Sequence, residues 1–299
     1  MNWVALSLLS ALFLGLYDVA KKTALDRNAV LPVLFACSAC SLGLLLPVVL
    51  LSSLAPGLAA AWGLALKPLS AHGHLLVLAK AGIVTSSWVL SYFALKHLPI
   101  SLAAPIRASA PLFTILGALL IFAERPTPVQ WFGISLILAS YWAFSLLGLR
   151  EGIVFHKNRW VWCLFAGTLV GAVSGLYDKH LLQAAGLSAM ALQFWFTLYA
   201  ALIQGLIVAC LWLPLRSRST PFDLRPSILL VSLLLLLSDA IYFRALAVPG
   251  AMVSIVSTLR RTNVIVSFAV GGIASRERNR REKALALLGV LLGLGLLVR

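Results

Sequence analysis

Acidic and basic side chains interrupt several long apolar stretches of this 299-residue chain. The same four residues, Gly-Leu-Tyr-Asp, occur at 15–18 and again at 175–178, and each copy lies near the end of an apolar stretch. A carboxylate costs about 2.5–3.5 kcal/mol at the centre of a membrane helix on insertion scales. Two such carboxylates at matched positions indicate duplicated machinery, and they suggest a transporter made of two halves.

A second group of charges lies near the middle of apolar stretches. Asp239 is in one, the adjacent pair Arg260 and Arg261 is in another, and Arg107 is in a third. A guanidinium group binds a carboxylate or a phosphate through two parallel hydrogen bonds, so an excess of Arg inside a membrane favours an anionic ligand. We therefore predict that the substrate is bound by Arg107, Asp239, Arg260, Arg261, Tyr92 and Tyr242.

The same charges also fit a purely structural role. Asp239 could form an ion pair with either Arg260 or Arg261, and adjacent residues point about 100° apart on a helix. One Arg would then hold Asp239 while the other faces the substrate. Lys80 and Arg244 lie nearer helix ends, and we expect each to extend to the membrane interface.

The two Tyr-Asp pairs are predicted to gate or couple transport. In two oppositely oriented halves they would lie towards opposite membrane faces, which suits gating by Tyr17, Asp18, Tyr177 and Asp178. Asp18 has Lys21 and Lys22 three and four residues later, which favours a local salt bridge. Asp178 has no such cation, so we expect it to pair with another helix or to accept a proton. The alternative is that both pairs only orient helix ends.

The composition predicts an all-α integral membrane protein. The chain is 61% hydrophobic and only 11% charged, whereas a soluble domain has about 25% charged residues. A span needs about 20 apolar residues. Ten stretches qualify: 2–22, 29–51, 74–95, 99–122, 128–149, 160–182, 187–213, 226–247, 250–273 and 282–298. The segment 52–73 between the second and third has room for an interfacial helix.

The internal repeat predicts two five-helix units, 1–150 and 151–299. Tyr92-Phe93 matches Tyr242-Phe243 at an offset of 150, beside the 160 offset of Gly-Leu-Tyr-Asp. Five helices are an odd number, so the second unit must enter from the opposite side, which makes an inverted repeat.

Small residues at four-residue intervals predict close helix packing in both units. They are Ser7, Ala11 and Gly15 in the first unit and Gly167, Gly171 and Gly175 in the second. Gly289 and Gly293 form an isolated pair, which fits either packing within the chain or contact with a second copy in a homodimer.

These features resemble the drug/metabolite transporter superfamily, specifically its EamA-type ten-helix members. Glu124 before Arg125-Pro126 resembles the Glu of that family near the turn between helices 4 and 5, and Glu277 is placed similarly before helix 10. The resemblance implies a central cavity, alternating access without ATP, and substrates such as amino acids, drugs, nucleotide sugars or sugar phosphates. The Arg pair on the ninth span, together with Arg107, also resembles the phosphate-binding cations of plastid sugar-phosphate translocators.

The distribution of Lys and Arg predicts the orientation in the cytoplasmic (inner) membrane. Fifteen of them follow the odd-numbered spans and four lie on the other side. Because cytoplasmic loops carry the excess of Lys and Arg, this multi-pass chain should have both termini outside. Ten-helix relatives usually have them inside. We predict that the first span is retained in the mature protein and is not cleaved as a signal peptide.

The leading interpretation is a secondary active transporter of a small anionic or zwitterionic metabolite, coupled to protons or to exchange. Export of amino acids or amphipathic drugs, and flipping of a phosphate-linked lipid carrier, are the alternatives. We expect no enzymatic activity, no cofactor, no metal and no nucleic-acid partner.

Cys37 and Cys40 form a C-x-x-C pair. Core packing is the preferred interpretation of this pair, and a metal or redox site is the alternative.

Overall fold

The computed structural model of the protein describes residues 2–98, 106–107, 109–146, 158–263, 266, 288–289, 292–293 and 295–296. Its helices are α1 Trp3–Leu25, α2 Val30–Leu54, α3 Pro56–Ala61, α4 Ala71–His97, α5 Ala110–Phe122, α6 Pro128–Leu146, α7 Arg159–Lys179, α8 Ala189–Ile207, α9 Pro226–Ala247 and α10 Val253–Arg260. The described part of the chain contains no β-strand. The predicted all-α class is confirmed.

Polar side chains define where several helices begin. Ser70 accepts a hydrogen bond from the backbone of Gly73 at the start of α4, and Ser188 does the same for Ala191 at the start of α8. Before α6, Thr127 and Gln130 exchange side chain-to-backbone bonds in both directions, which is a capping box. These caps satisfy N–H groups that have no partner inside the helix.

Six helices are long and apolar enough to cross a membrane. They are Trp3–Leu25, Val30–Leu54, Ala71–Ala94, Arg159–Ala184, Ala189–Arg218 and Pro226–Ala247. The fourth and fifth ranges are longer than α7 and α8 because π-helical or 3-10 turns continue these two helices. The six helices correspond to predicted spans 1, 2, 3, 6, 7 and 8. The described stretches of α5, α6 and α10 are shorter, and most of the predicted tenth span lies outside the described residues. An integral membrane protein is therefore established, whereas the number ten stays a prediction.

The connection between the second and third spans contains α3, in agreement with the expected interfacial helix. Leu58 and Trp62 in this region are exposed. Tryptophan is common at the membrane–water interface because its ring is apolar and its N–H is polar. This element directly follows α2.

Helices of the two chain halves pack against each other throughout the core. The most extensive contacts join α1 with α9 and α4 with α7, and α2 packs on α8. Leu181, Leu192 and Leu246, all fully buried, belong to the largest hydrophobic cluster. The core is therefore built between the halves and not within each half alone.

Small residues permit close contacts between helices, as the sequence pattern predicted. A Cβ atom on Gly167 of α7 would lie only 2.6 Å from Ser91 Oγ of α4. Ser87 Oγ donates a 2.7 Å hydrogen bond to the Gly167 carbonyl at the same crossing. A Cβ on Gly293 would lie 2.6 Å from the Ile137 side chain of α6, so this glycine packs within the chain.

Candidate functional site

A cavity of about 290 Å³ lies between the two halves of the chain and is lined by many charged side chains. Its lining includes all six predicted substrate-binding residues, which are Tyr92, Arg107, Asp239, Tyr242, Arg260 and Arg261. It also includes Tyr17, Asp18 and Asp178 from the predicted gating group. The structure therefore brings nine of the ten predicted site residues to one cavity, although their roles stay predictions.

The cavity walls carry more positive than negative charge. Five cations line it, namely Lys21, Lys80, Arg107, Arg260 and Arg261, against three carboxylates, Asp18, Asp178 and Asp239. The resulting formal charge of the lining is +2. This surplus favours an anion, because charge interactions near protein walls are stronger than in bulk water.

Asp239 of α9 forms an ion pair with Arg260 of α10. Arg260 Nη2 lies 2.9 Å from Asp239 Oδ1 and 3.3 Å from Ser238 Oγ. The two charged side chains are 19% and 15% exposed, so the pair faces the cavity. Of the two adjacent arginines, Arg260 is therefore the ion-pair partner of Asp239. Arg261 lines the same cavity.

Lys80 and Asp178 form a second ion pair, between α4 and α7. Their side chains are only 3% and 6% exposed. The expectation that Lys80 extends to the membrane interface is therefore wrong, because a carboxylate from another helix holds it inside the protein. The expectation that Asp178 takes its partner from another helix agrees with this pair.

Arg244, by contrast, is exposed and donates to the Gly63 carbonyl.

The first Tyr-Asp copy has different partners from the second. Tyr17 Oη and Tyr92 Oη are 3.3 Å apart, and the Lys21 ammonium lies 4.2 Å from the centre of the Tyr92 ring. Asp18 Oδ2 accepts a 2.6 Å hydrogen bond from Asn263 Nδ2. The expected local salt bridge between Asp18 and Lys21 is therefore wrong for the described side chains, because Lys21 turns to the tyrosine rings. The side chain of Lys22 lies outside the described residues.

Tyr177 is the predicted site residue that does not line the cavity. Its hydroxyl donates to the Leu76 carbonyl at 3.2 Å, so it connects α7 to the first turns of α4. The neighbouring Asp178 points into the cavity because successive residues differ by about 100° around a helix.

Glu124, which carries part of the family resemblance, connects three helices. Its carboxylate accepts hydrogen bonds from the backbone of Val253 at 2.7 Å and of Ser254 at 3.1 Å, at the start of α10. It also bonds the Ser254 hydroxyl, and Lys179 of α7 pairs with it at 2.6 Å. A negative charge here is favourable because the N-terminus of a helix is partially positive. Lys179 is one of the four cations assigned to the other side in the charge count, and the structure makes it a buried partner of Glu124. Glu277 lies outside the described residues.

Two cations that line the cavity, Lys80 and Lys21, were not predicted as site residues. For Lys80, the spacing of residues along α4 is a signal that could have identified it. Four of the cavity-lining residues of α4 recur every three or four positions: Lys80, Val84, Ser87 and Ser91. This is the spacing of one helix face, so Lys80 lies on the same face as Ser91, which is next to the predicted Tyr92. Lys21 carries no such signal, because it is next to a loop in the sequence and only the packing turns it inward.

The described residues contain no group of three His, Cys, Asp or Glu side chains that could hold a metal ion. Cys37 is buried, and its sulfur faces the Ile228 carbonyl at 4.0 Å. This placement agrees with the packing interpretation of the C-x-x-C pair.

The family model of the EamA-like transporter family matches residues 1–146. The first half of the chain belongs to the EamA-like transporter family. The protein is thus a member of the drug/metabolite transporter superfamily, as the resemblance predicted. Members of the EamA-like family are membrane transporters, so the cavity lies in a protein whose class moves small molecules across a bilayer.

Similarity to solved structures extends over nearly the whole chain. Twenty-nine chains match, among them a crystal structure with a TM-score of 0.70 and 16% identity. That match covers 98% of this chain and 94% of the other. At this sequence identity the match supports only a shared fold. No curated protein is similar enough to the chain to match it.

Proposed function

We propose that the protein is a secondary active transporter of a small anionic or zwitterionic metabolite, and that it works by alternating access. The observation that carries this proposal is the cavity between the two halves, with its +2 lining. Arg107, Asp239, Arg260, Arg261, Tyr92 and Tyr242 are proposed to contact the substrate. Tyr17, Asp18, Tyr177 and Asp178 are proposed to gate or couple transport.

The distribution of ion pairs within the cavity supports the sign of the substrate. Two of the three carboxylates already neutralise a cation, Asp178 with Lys80 and Asp239 with Arg260. Among the described residues no carboxylate lies within 4.0 Å of Arg107 or of Lys21. An anion entering the cavity would meet these two cations without first displacing a side chain. A cationic substrate would meet one carboxylate without a cation partner among the described residues, Asp18, and Asn263 already bonds that group.

The size of the cavity favours a small metabolite over a lipid-linked sugar. Its volume of about 290 Å³ is at the lower end of the ~300–1,000 Å³ typical of ligand pockets. A polyprenyl-phosphate carrier would need a much longer apolar groove. A drug without an anionic group would fit by volume but would leave the positive surplus without a counter-charge, whereas an amino acid would present its carboxylate to it.

The proposed architecture is ten spans in two inverted units, 1–150 and 151–299. Helix contacts support it because they come in matched pairs. The α1–α9 contact corresponds to the α7–α4 contact when the units are exchanged, and α1–α10 corresponds to α7–α5. The contact of α2 with α9 likewise corresponds to that of α8 with α4. An inverted repeat places the substrate site between its units, near the membrane midplane.

A ligand screen tests the proposed substrate class. Purified protein is heated with inorganic phosphate, small carboxylates, amino acids, cationic drugs and carrier lipids in turn. A ligand that binds only the folded state raises the midpoint of unfolding by mass action. We expect stabilisation by phosphates or carboxylates. Stabilisation only by cations or neutral amphiphiles would contradict the proposal.

A further inference from the structure

Tyr242 of α9 contacts both ion pairs of the cavity. Its hydroxyl donates a 3.3 Å hydrogen bond to Asp178 Oδ2, while Lys80 pairs with the other oxygen of the same carboxylate. The Arg260 guanidinium lies over the Tyr242 ring, 4.1 Å from the ring centre. One side chain therefore bonds an anion through its hydroxyl and a cation through its ring face.

The two ion pairs differ in how far they reach the cavity. The Lys80–Asp178 pair is almost completely buried, and the Lys80 ammonium also lies 4.7 Å from the centre of the Phe196 ring. The pair of Asp239 and Arg260 is several times more exposed. A ligand in the cavity therefore meets the outer pair first, and Tyr242 stands between it and the inner pair.

Arg260 retains hydrogen-bonding capacity for a ligand. The guanidinium group has five N–H donors, and the described bonds of Arg260 use only Nη2, towards Asp239 and Ser238. Its Nε is buried without a partner among the described residues. An anion can therefore compete with Asp239 for the guanidinium. Such an exchange turns or shifts the guanidinium plane, which changes its stacking on the Tyr242 ring.

We propose that Tyr242 is a positioning residue that couples anion binding at Arg260 to the buried Lys80–Asp178 pair. This inference rests on the function proposed above. When the guanidinium moves to the anion, the ring loses its stacked cation and the hydroxyl shifts relative to Asp178. The inner pair, which joins α4 of one half to α7 of the other, then loses one of its hydrogen bonds. Binding is thereby linked to a contact between the halves that must change during alternating access.

The corresponding tyrosine of the first half does not make such a bridge. Tyr92 contacts the hydroxyl of Tyr17 and the ammonium of Lys21. The neighbouring carboxylate, Asp18, is bonded by Asn263 instead. In the described residues only the second-half tyrosine connects two ion pairs, so the coupling role is assigned to Tyr242.

Two substitutions at this position separate the two contacts. Tyr242→Phe keeps the ring under Arg260 and removes the hydroxyl bond to Asp178, whereas Tyr242→Leu removes both. Tyr199→Phe is the control, because it also removes one tyrosine hydroxyl bond, to His74, and Tyr199 is half-buried and does not line the cavity. All three full-length proteins are reconstituted in liposomes, and thermal unfolding confirms that each is folded.

Affinity and turnover are then measured with inorganic phosphate and with succinate as probes. For whichever probe binds the wild type, Tyr242→Phe should keep Kd within about twofold while exchange slows about tenfold or more. Tyr242→Leu should weaken binding as well, and Tyr199→Phe should match the wild type. Wild-type exchange by Tyr242→Phe, or equal losses of affinity in Phe and Leu variants, would overturn the coupling role. Failure of the wild type to bind either anion would instead overturn the proposed function.

Discussion

Lys80 and Asp178 form an ion pair between the two halves of the chain, with both side chains nearly excluded from solvent. Lys80 belongs to α4 and Asp178 to α7, whose contact is among the most extensive in the protein. A buried pair is costly to break, because removal of one partner leaves the other charge without compensation. The pair therefore combines a structural role with the gating or coupling role proposed for Asp178.

The first prediction is that Asp178→Asn lowers stability as well as transport. The substitution leaves the Lys80 ammonium buried without its carboxylate, at a cost of about 3–5 kcal/mol. We expect a lower Tm in detergent and no substrate exchange in liposomes. The double variant Lys80→Met, Asp178→Leu removes both charges and should recover most of the Tm without recovering exchange. Normal exchange by the double variant would exclude a role for the pair in transport.

The second prediction concerns the contact of Glu124 with α10. Glu124→Gln keeps the size of the side chain but removes the charge that Lys179 and the start of α10 share. Loss of a charged hydrogen-bond partner in a buried site costs about 1–3 kcal/mol. The Tm should fall measurably.

Asp223→Asn is the control for this measurement. It removes one partner of an exposed pair with Arg225, and exposed pairs contribute only about 0–1 kcal/mol. A Tm change in Glu124→Gln no larger than that of the control would contradict the assigned role of Glu124.

The third prediction is that Arg107→Gln weakens anion binding without unfolding the protein. Because no described carboxylate depends on Arg107, the substitution should leave the Tm of the free protein nearly unchanged. Loss of one charged hydrogen bond to the ligand should raise the Kd of the anion by about tenfold. Titration calorimetry with the anion found in the ligand screen measures this change.

Arg107→Lys and Lys67→Gln complete the comparison. The first keeps the positive charge and should recover part of the affinity. The second removes an exposed cation that does not line the cavity, and its Kd should equal that of the wild type. If Arg107→Gln binds the anion as well as Lys67→Gln does, Arg107 does not contact the substrate.

The fourth prediction concerns orientation. The excess of Lys and Arg after the odd-numbered predicted spans predicts that both termini lie outside the cytoplasm. A C-terminal alkaline phosphatase fusion should therefore be active and a C-terminal GFP fusion should be dark. The reverse result, with fluorescent GFP and silent phosphatase, would give this protein the orientation usual among its relatives.

Much of the candidate site could be predicted from residue type and position. Charges such as Asp239 and Arg260 are rare within apolar stretches, so they were identifiable without a structure, and both line the cavity. The partner of each charge was harder to find. Lys80 lies 98 residues before Asp178, and Asn263 lies 245 residues after Asp18. Helical periodicity shows which residues share a face, but it does not show which other helix that face meets.

The sequence by itself determined the membrane environment, the helical class, the family and the identity of most charged cavity residues. These properties depend on composition and on local repeats, which one chain displays directly. Only the tertiary structure decided how the charges are paired. It turned Lys21 to the Tyr17 and Tyr92 rings and placed Tyr242 between two ion pairs. Such pairings depend on close packing between distant helices, where a shift of one ångström replaces one partner by another.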